Sequence, residues 1–217
     1  ARRPARPRAR RGHGAAARNV FRDRFNELRC RLSMYPSSGS LPSATFESAA
    51  TTARMLGARC LPLGIAVAMH LYPLCALQCI PLPLMSSARF KRAILLRTIR
   101  DRSLILANAA SERVQGANQP LVATPCADGF RIDGTCEYMS LASVADVVFF
   151  EAKLVYRDCA VLCAADLKGE SVRIGQWKFT GRMRLSDTSS ATFVGHRVPR
   201  GRYLLAPYDH TLRCVSD

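Results

Sequence analysis

The chain has 217 residues, of which 48% are hydrophobic, and it carries a formal net charge of +16. This length allows one large domain or two small ones, and the apolar fraction supplies a core, which excludes a wholly disordered chain. The excess of basic residues favours anionic partners, but no nucleic-acid-binding signature accompanies it. We therefore do not predict binding to nucleic acid.

The first 20 residues are rich in Arg, Ala, Pro and Gly and show no apolar periodicity. Nine arginines fall within the first 24 residues, against the single acid Asp23. Residues 1–20 are therefore predicted to be a disordered basic tail. We expect a cytoplasmic protein, although an organellar transit peptide is also rich in Arg and poor in acids, which would place the chain in an organelle matrix.

Residues 21–115 are predicted to form a helical domain, with helices over Ser43–Leu56, Leu63–Leu77 and Ser87–Arg113. The stretch Leu61–Met85 is almost entirely apolar but contains four prolines. Prolines at this density are typical of short buried helices, so no membrane span is predicted.

Beyond the breaker at 116–120 the pattern changes to short strands and turns. Residues 116–210 are predicted to form an antiparallel β-barrel or sandwich, because turn signals recur about every ten residues. The expected fold class is thus α+β, with helices first and strands second.

The nine cysteines include no C-x-x-C pair, so no metal site is predicted, and we interpret them as small buried side chains in a reducing compartment. His70, in an apolar helix, is predicted to be a hydrogen-bonded core histidine. Trp177 is predicted to lie in the core.

The segment Asp128–Ser140 reads DGFRIDGTCEYMS and is followed by Ala145-Asp146. It resembles a segment of the acyl-CoA dehydrogenase family, gly-aromatic-x-leu-asn-gly-x-lys-x-trp-ile-thr and then ala-asp. Tyr138 falls at the tryptophan position of the family and Ser140 at its threonine or serine. The resemblance implies that these two side chains line the flavin ring.

Two further segments are similar to the same family. RLSDT at Arg184–Thr188, with Phe193 and Val198-Pro199 behind it, has the spacing of arg-x-ser-asp-thr, phe and val-pro. We nevertheless expect the side chains of 186–188 to cap their own turn rather than touch a cofactor. The segment from Ser111 to Ala117 weakly resembles the flavin-holding loop thr-glu-pro-gly-ala-gly-ser-asp, which makes Ser111 and Gly116 candidate cofactor-binding residues.

The resemblance implies an FAD-dependent oxidoreductase of fatty acid metabolism, acting on an acyl thioester or a carrier-bound acid. In the family the catalytic glutamate lies in a C-terminal helical domain, which we expect to be missing here, so the catalytic residue is unassigned. A homo- or hetero-oligomer is expected, with a partner completing the enzyme. Two alternatives stay open: a reduced-flavin monooxygenase, and a non-catalytic structural subunit.

Overall fold

The computed structural model describes residues 42–79, 82, 87–110, 121–156 and 159–207. The predicted basic tail lies outside these residues. Three helices come first along the chain, and their bounds extend or shorten those that the sequence predicts. They are α1 (Pro42–Arg59), α2 (Leu61–Cys79) and α3 (Ser87–Asp101).

Helix α2 is the central helix of the helical layer. It contains no charged residue, so all its faces can be buried, and it packs against both α1 and the sheet. By length and composition its segment Leu61–Gln78 could also cross a membrane, but 56% of that segment is buried inside the protein, as in the core helix of a soluble protein. His70 is fully buried there, and its Nδ1 accepts a hydrogen bond from the backbone N–H of Leu106 at 3.0 Å. The prediction for His70 is therefore confirmed.

The predicted helix over residues 87–113 is wrong in its second half. Helix α3 ends at Asp101, and Ser103 adopts a left-handed conformation with φ of 53°. The N–H groups of Ser103 and Leu104 bond the carbonyls of Arg100 and Ile99, which is the Schellman arrangement of a helix end. Glycine usually occupies the left-handed position, and because serine stands there the sequence gave no stop signal.

Eight strands form one sheet, in the order β6-β7-β3-β1-β4-β5-β8, with β2 pairing to β3 and β4. Their bounds are β1 (Leu106–Ala110), β2 (Val122–Cys126), β3 (Gly129–Met139), β4 (Val147–Leu154), β5 (Cys159–Asp166), β6 (Val172–Trp177), β7 (Ser189–Pro199) and β8 (Tyr203–Pro207). A 3₁₀ helix at Gly181–Ser186 joins β6 to β7. The α+β order of helices before strands is confirmed.

The prediction of a purely antiparallel barrel or sandwich is wrong in its pairing. Strand β4 runs parallel to both β1 and β2, so the sheet is mixed. The order of the described strands has two ends, β6 and β8, and hydrogen bonding between them does not close it into a barrel. The sequence could not show this because β1, with the composition LANAA, has neither alternation nor β-branched residues.

One hydrophobic core joins α2 and α3 to the sheet. Beside this core, Asp146 is 6% exposed at the start of β4, and its Oδ2 accepts the N–H of Ile105 at 3.0 Å. Its Oδ1 accepts from Lys168 Nζ at 3.0 Å. The aspartate of the ala-asp motif therefore anchors the start of β1 beside β4, which is a structural role.

Candidate functional site

The four candidate cofactor residues divide into two groups. Ser111 and Gly116 lie outside the described residues. Tyr138 is the penultimate residue of β3, and Ser140 is the first residue after that strand. Because alternate residues of a strand share a face, Tyr138 and Ser140 project to the same side, whereas Met139 points into the core and is fully buried.

The ring of Tyr138 is 44% exposed, which is unusual for an aromatic side chain so close to the core. Its centroid lies 6.5 Å from that of Phe179, and the two rings are tilted by 32°. The ammonium of Lys178 lies 5.6 Å from the Tyr138 centroid and forms an ion pair with Glu137. An accessible aromatic surface with a fixed cation beside it therefore occupies this end of the sheet.

A row of three hydroxyl groups runs inward from Ser140. Its Oγ lies 2.9 Å from Oγ1 of Thr188, which lies 2.9 Å from Oγ of Ser186. Ser186 in turn donates to the carbonyl of Met183 at 2.8 Å. Ser186 is fully buried and Thr188 is 5% exposed, so Ser140 alone reaches towards solvent.

Asp187 fastens the same region from behind. Its Oδ2 accepts the backbone N–H and the hydroxyl of Ser143, each at 2.7 Å, and its Oδ1 accepts Nε1 of Trp177 at 3.1 Å. Residues 186–188 therefore do more than cap their own turn, as the sequence predicted, because they also bond to the chain after β3 and to the end of β6.

Two further features of the site were missed by the sequence reasoning. Trp177 was predicted to lie in the core but is 48% exposed, with the guanidinium of Arg184 stacked 3.4 Å from its ring centroid. Leu141 is fully buried with φ of 61°, a strained conformation for a large side chain. Its N–H bonds the carbonyl of Ser186, which holds the turn after Ser140 in place.

Ionisable groups near the site are either buried or already bonded. Burial raises the pKa of the Cys136 thiol to about 11, so it stays neutral and unreactive at neutral pH. Glu137 is paired with Lys178, and Asp187 accepts three hydrogen bonds. No group of three metal-ligating side chains is found within the described part of the chain, and its cysteines Cys60, Cys75, Cys126, Cys136 and Cys163 are free.

Neither a protein-family model nor a curated protein sequence matches this chain. Solved structures do. The FMN-bound dibenzothiophene monooxygenase TdsC from Paenibacillus sp. A11-2 superposes with a TM-score of 0.64 and 23% identity over 90% of this chain and 48% of that one. FkbI, for biosynthesis of the methoxymalonyl extender unit of a polyketide immunosuppressant, gives 0.65 and 17% over 92% and 56%.

An acyl-CoA dehydrogenase from Bacillus anthracis, complexed with FAD, gives a TM-score of 0.56 and 15% identity over 88% of this chain and 33% of that one. The chain thus has the fold of acyl-CoA dehydrogenase-like flavin enzymes. It spans about half the length of TdsC and FkbI and a third of the dehydrogenase.

Proposed function

We propose that this chain belongs to a flavin-dependent oxidoreductase and that the flavin ring lies against Tyr138 and Ser140. One observation carries the proposal: a half-exposed aromatic ring and a hydroxyl project side by side from the same end of β3, with their supporting residues buried behind them. A planar aromatic surface offers stacking area, and a hydroxyl offers one oriented hydrogen bond. These are the contacts that a flat heteroaromatic ring requires.

The described residues would orient the cofactor and exclude water from one of its faces. Tyr138 would cover that face, and Ser140 would fix the rotation of the ring through its hydrogen bond. Thr188 and Asp187 would act indirectly, because they hold Ser140 and the following turn in position. A bound flavin supplies the hydride-transfer and oxygen chemistry that protein side chains lack.

The cofactor is proposed to be FAD, as the family resemblance implies. The titles of TdsC and of the Bacillus anthracis enzyme show that proteins of this fold bind FMN as well as FAD. The isoalloxazine ring is common to both molecules. Contacts from Tyr138 and Ser140 to that ring therefore support either one, and a binding measurement has to separate them.

Two substrate chemistries fit a flavin at this position. The first is oxidation of an acyl thioester or a carrier-bound acid, which needs a base within reach of the substrate carbon. Glu137 and Asp187, the carboxylates beside the site in the described residues, are both engaged in other bonds. This observation favours the second candidate, a monooxygenase that uses reduced flavin, because oxygen reacts with reduced flavin without such a base.

The open side of the site supports a further protein surface as part of the enzyme. Tyr138, Trp177 and Phe179 are 44%, 48% and 39% exposed, so a ring stacked on Tyr138 would keep its other face in water. We propose that a second copy of the chain or another subunit covers that face. The chain alone is then expected to bind flavin weakly.

Equilibrium dialysis against FAD and FMN tests the proposal. Tyr138→Ala should lose binding, whereas Tyr156→Ala, which removes a 75% exposed tyrosine after β4, should not. With flavin bound, bleaching of its visible absorbance by acyl-CoA would support thioester oxidation. Oxygen consumption that requires added reduced flavin would support the monooxygenase. Failure to bind flavin even with the natural partner present would favour a non-catalytic subunit.

A further inference from the structure

The row of hydroxyl groups behind Ser140 has a fixed direction. A hydroxyl has one hydrogen to donate, and a carbonyl can only accept. Ser186 therefore spends its hydrogen on the Met183 carbonyl, at 2.8 Å. Its contact with Thr188 must then be donated by Thr188, and the contact between Thr188 and Ser140 must be donated by Ser140.

This assignment is enforced by burial. Ser186 is fully buried and Thr188 is 5% exposed, so no water layer competes for their hydrogens. Reversing the row would leave the Met183 carbonyl without this donor in a region closed to solvent, which costs free energy. Ser140, half-buried at the outer end, consequently presents only lone pairs to a ligand.

We infer that the site distinguishes the redox states of its ligand and binds reduced flavin more tightly than oxidised flavin. The inference rests on the proposed function, in which the N5 edge of the ring approaches Ser140. In oxidised flavin N5 is an acceptor without a hydrogen, and it would face the acceptor-only oxygen of Ser140. In reduced flavin N5 carries a hydrogen, which that oxygen can accept.

The preference has a consequence for the reaction sequence. A protein that favours reduced flavin is suited to receive it from a separate reaction that reduces flavin, and to pass its electrons on to another acceptor. The gain of one hydrogen bond predicts about a five- to tenfold tighter dissociation constant for the reduced form. The matching of donor and acceptor at Ser140 is the determinant, rather than the charge of the ring.

The test compares anaerobic calorimetric titrations of the chain with oxidised FMN and with dithionite-reduced FMN. Wild type should favour reduced FMN by about five- to tenfold. Thr188→Val removes the acceptor that holds the Ser140 hydrogen, so that hydrogen becomes available to oxidised N5 and the ratio should fall to near one. Thr192→Val is the matched control, because Thr192 pairs with Thr135 elsewhere on β7. Its ratio should equal that of wild type.

Ser140→Ala provides a second variant, should Thr188→Val fold poorly, and it should also abolish the preference. If both forms bind wild type equally and Thr188→Val changes nothing, the inference is overturned while the proposed function stands. If neither form binds, the proposed function itself is overturned, and the inference with it. A preference for oxidised FMN in wild type would contradict the inference directly.

Discussion

The carboxylate of Asp187 accepts two hydrogen bonds from Ser143, one from the backbone N–H and one from the hydroxyl, each at 2.7 Å. Its other oxygen accepts Nε1 of Trp177. A single side chain that is 8% exposed thus bonds to the turn after β3 and to the end of β6. Asp187 itself adopts a left-handed conformation with φ of 52°, which aspartate tolerates better than most residues.

Asp187→Asn should destabilise the fold by about 2 kcal/mol. An amide has one oxygen, which can serve the two donors of Ser143, but its NH₂ group would then face the N–H of Trp177 as a second donor. Chemical denaturation measures the loss in free energy of unfolding. Glu170→Gln is the control, because Glu170 is an exposed carboxylate and should change little. Equal stability of the two variants would show that Asp187 does not brace the site.

A second prediction concerns the contact between α1 and α2. A Cβ added at Gly64 would lie 2.5 Å from Cα of Gly57 and 2.9 Å from the carbonyl oxygen of Ala53, so Gly64→Ala should cost about 1–3 kcal/mol. A Cβ added at Gly57 would meet Cα of Gly64 at 3.9 Å, an ordinary contact. Gly57→Ala should therefore stabilise the protein by up to about 1 kcal/mol through helix propensity. Thermal unfolding of both variants measures the difference, and the opposite ranking would contradict this packing.

A third prediction concerns pH. Desolvation lowers the pKa of His196, which is 7% exposed, and the carboxylate of Asp166 offsets this only in part. The unfolded chain therefore binds a proton more readily than the folded one. Stability is complete above the ordinary histidine pKa of 6.5 and is lost as pH falls from there towards the folded pKa.

His196→Asn should flatten that dependence. Urea unfolding at a series of pH values between neutral and mildly acid measures it, and the wild type should lose stability more steeply than the variant. Ser171→Ala serves as a control, since it removes the hydroxyl that bonds His196 Nδ1 but leaves the ring buried. Parallel curves for wild type and His196→Asn would show that His196 does not titrate differently on folding.

The sequence predicted the parts of the fold that have strong local signals. The apolar run of α2 and the β-branched and aromatic run of β4 were both found at nearly their observed bounds. Strand β1 was missed because its alanine-rich sequence is equally suited to a helix, and only its pairing with β3 and β4 makes it a strand. Parallel pairing is a property of the topology and leaves no trace in a single strand.

The site divides in the same way. Tyr138 and Ser140 were selected by resemblance to a motif, and the structure shows that they share a face. The contributions of Thr188 and Trp177 depend on contacts with residues 48 and 10 positions away along the chain, which no local pattern contains. Burial of the hydroxyl row, which fixes its direction, likewise appears only in three dimensions.

The central claim is that a flavin ring lies on Tyr138, and Trp177 allows it to be measured directly. Trp177 is the only tryptophan in the chain, and it is bonded to Asp187 beside the site. Flavin absorbs where tryptophan emits, so binding should quench the emission by energy transfer, and a titration of FMN followed at the tryptophan band reports on binding at this end of the sheet.

The account predicts saturable quenching in wild type and in Tyr156→Ala. For Tyr138→Ala it predicts a curve shifted to about tenfold or more higher FMN, because the stacking surface is lost and the ring is opened to water. Free N-acetyltryptophanamide at the same absorbance corrects for light that flavin absorbs without binding. Saturable quenching that is identical in Tyr138→Ala and wild type would place the flavin elsewhere and contradict the claim.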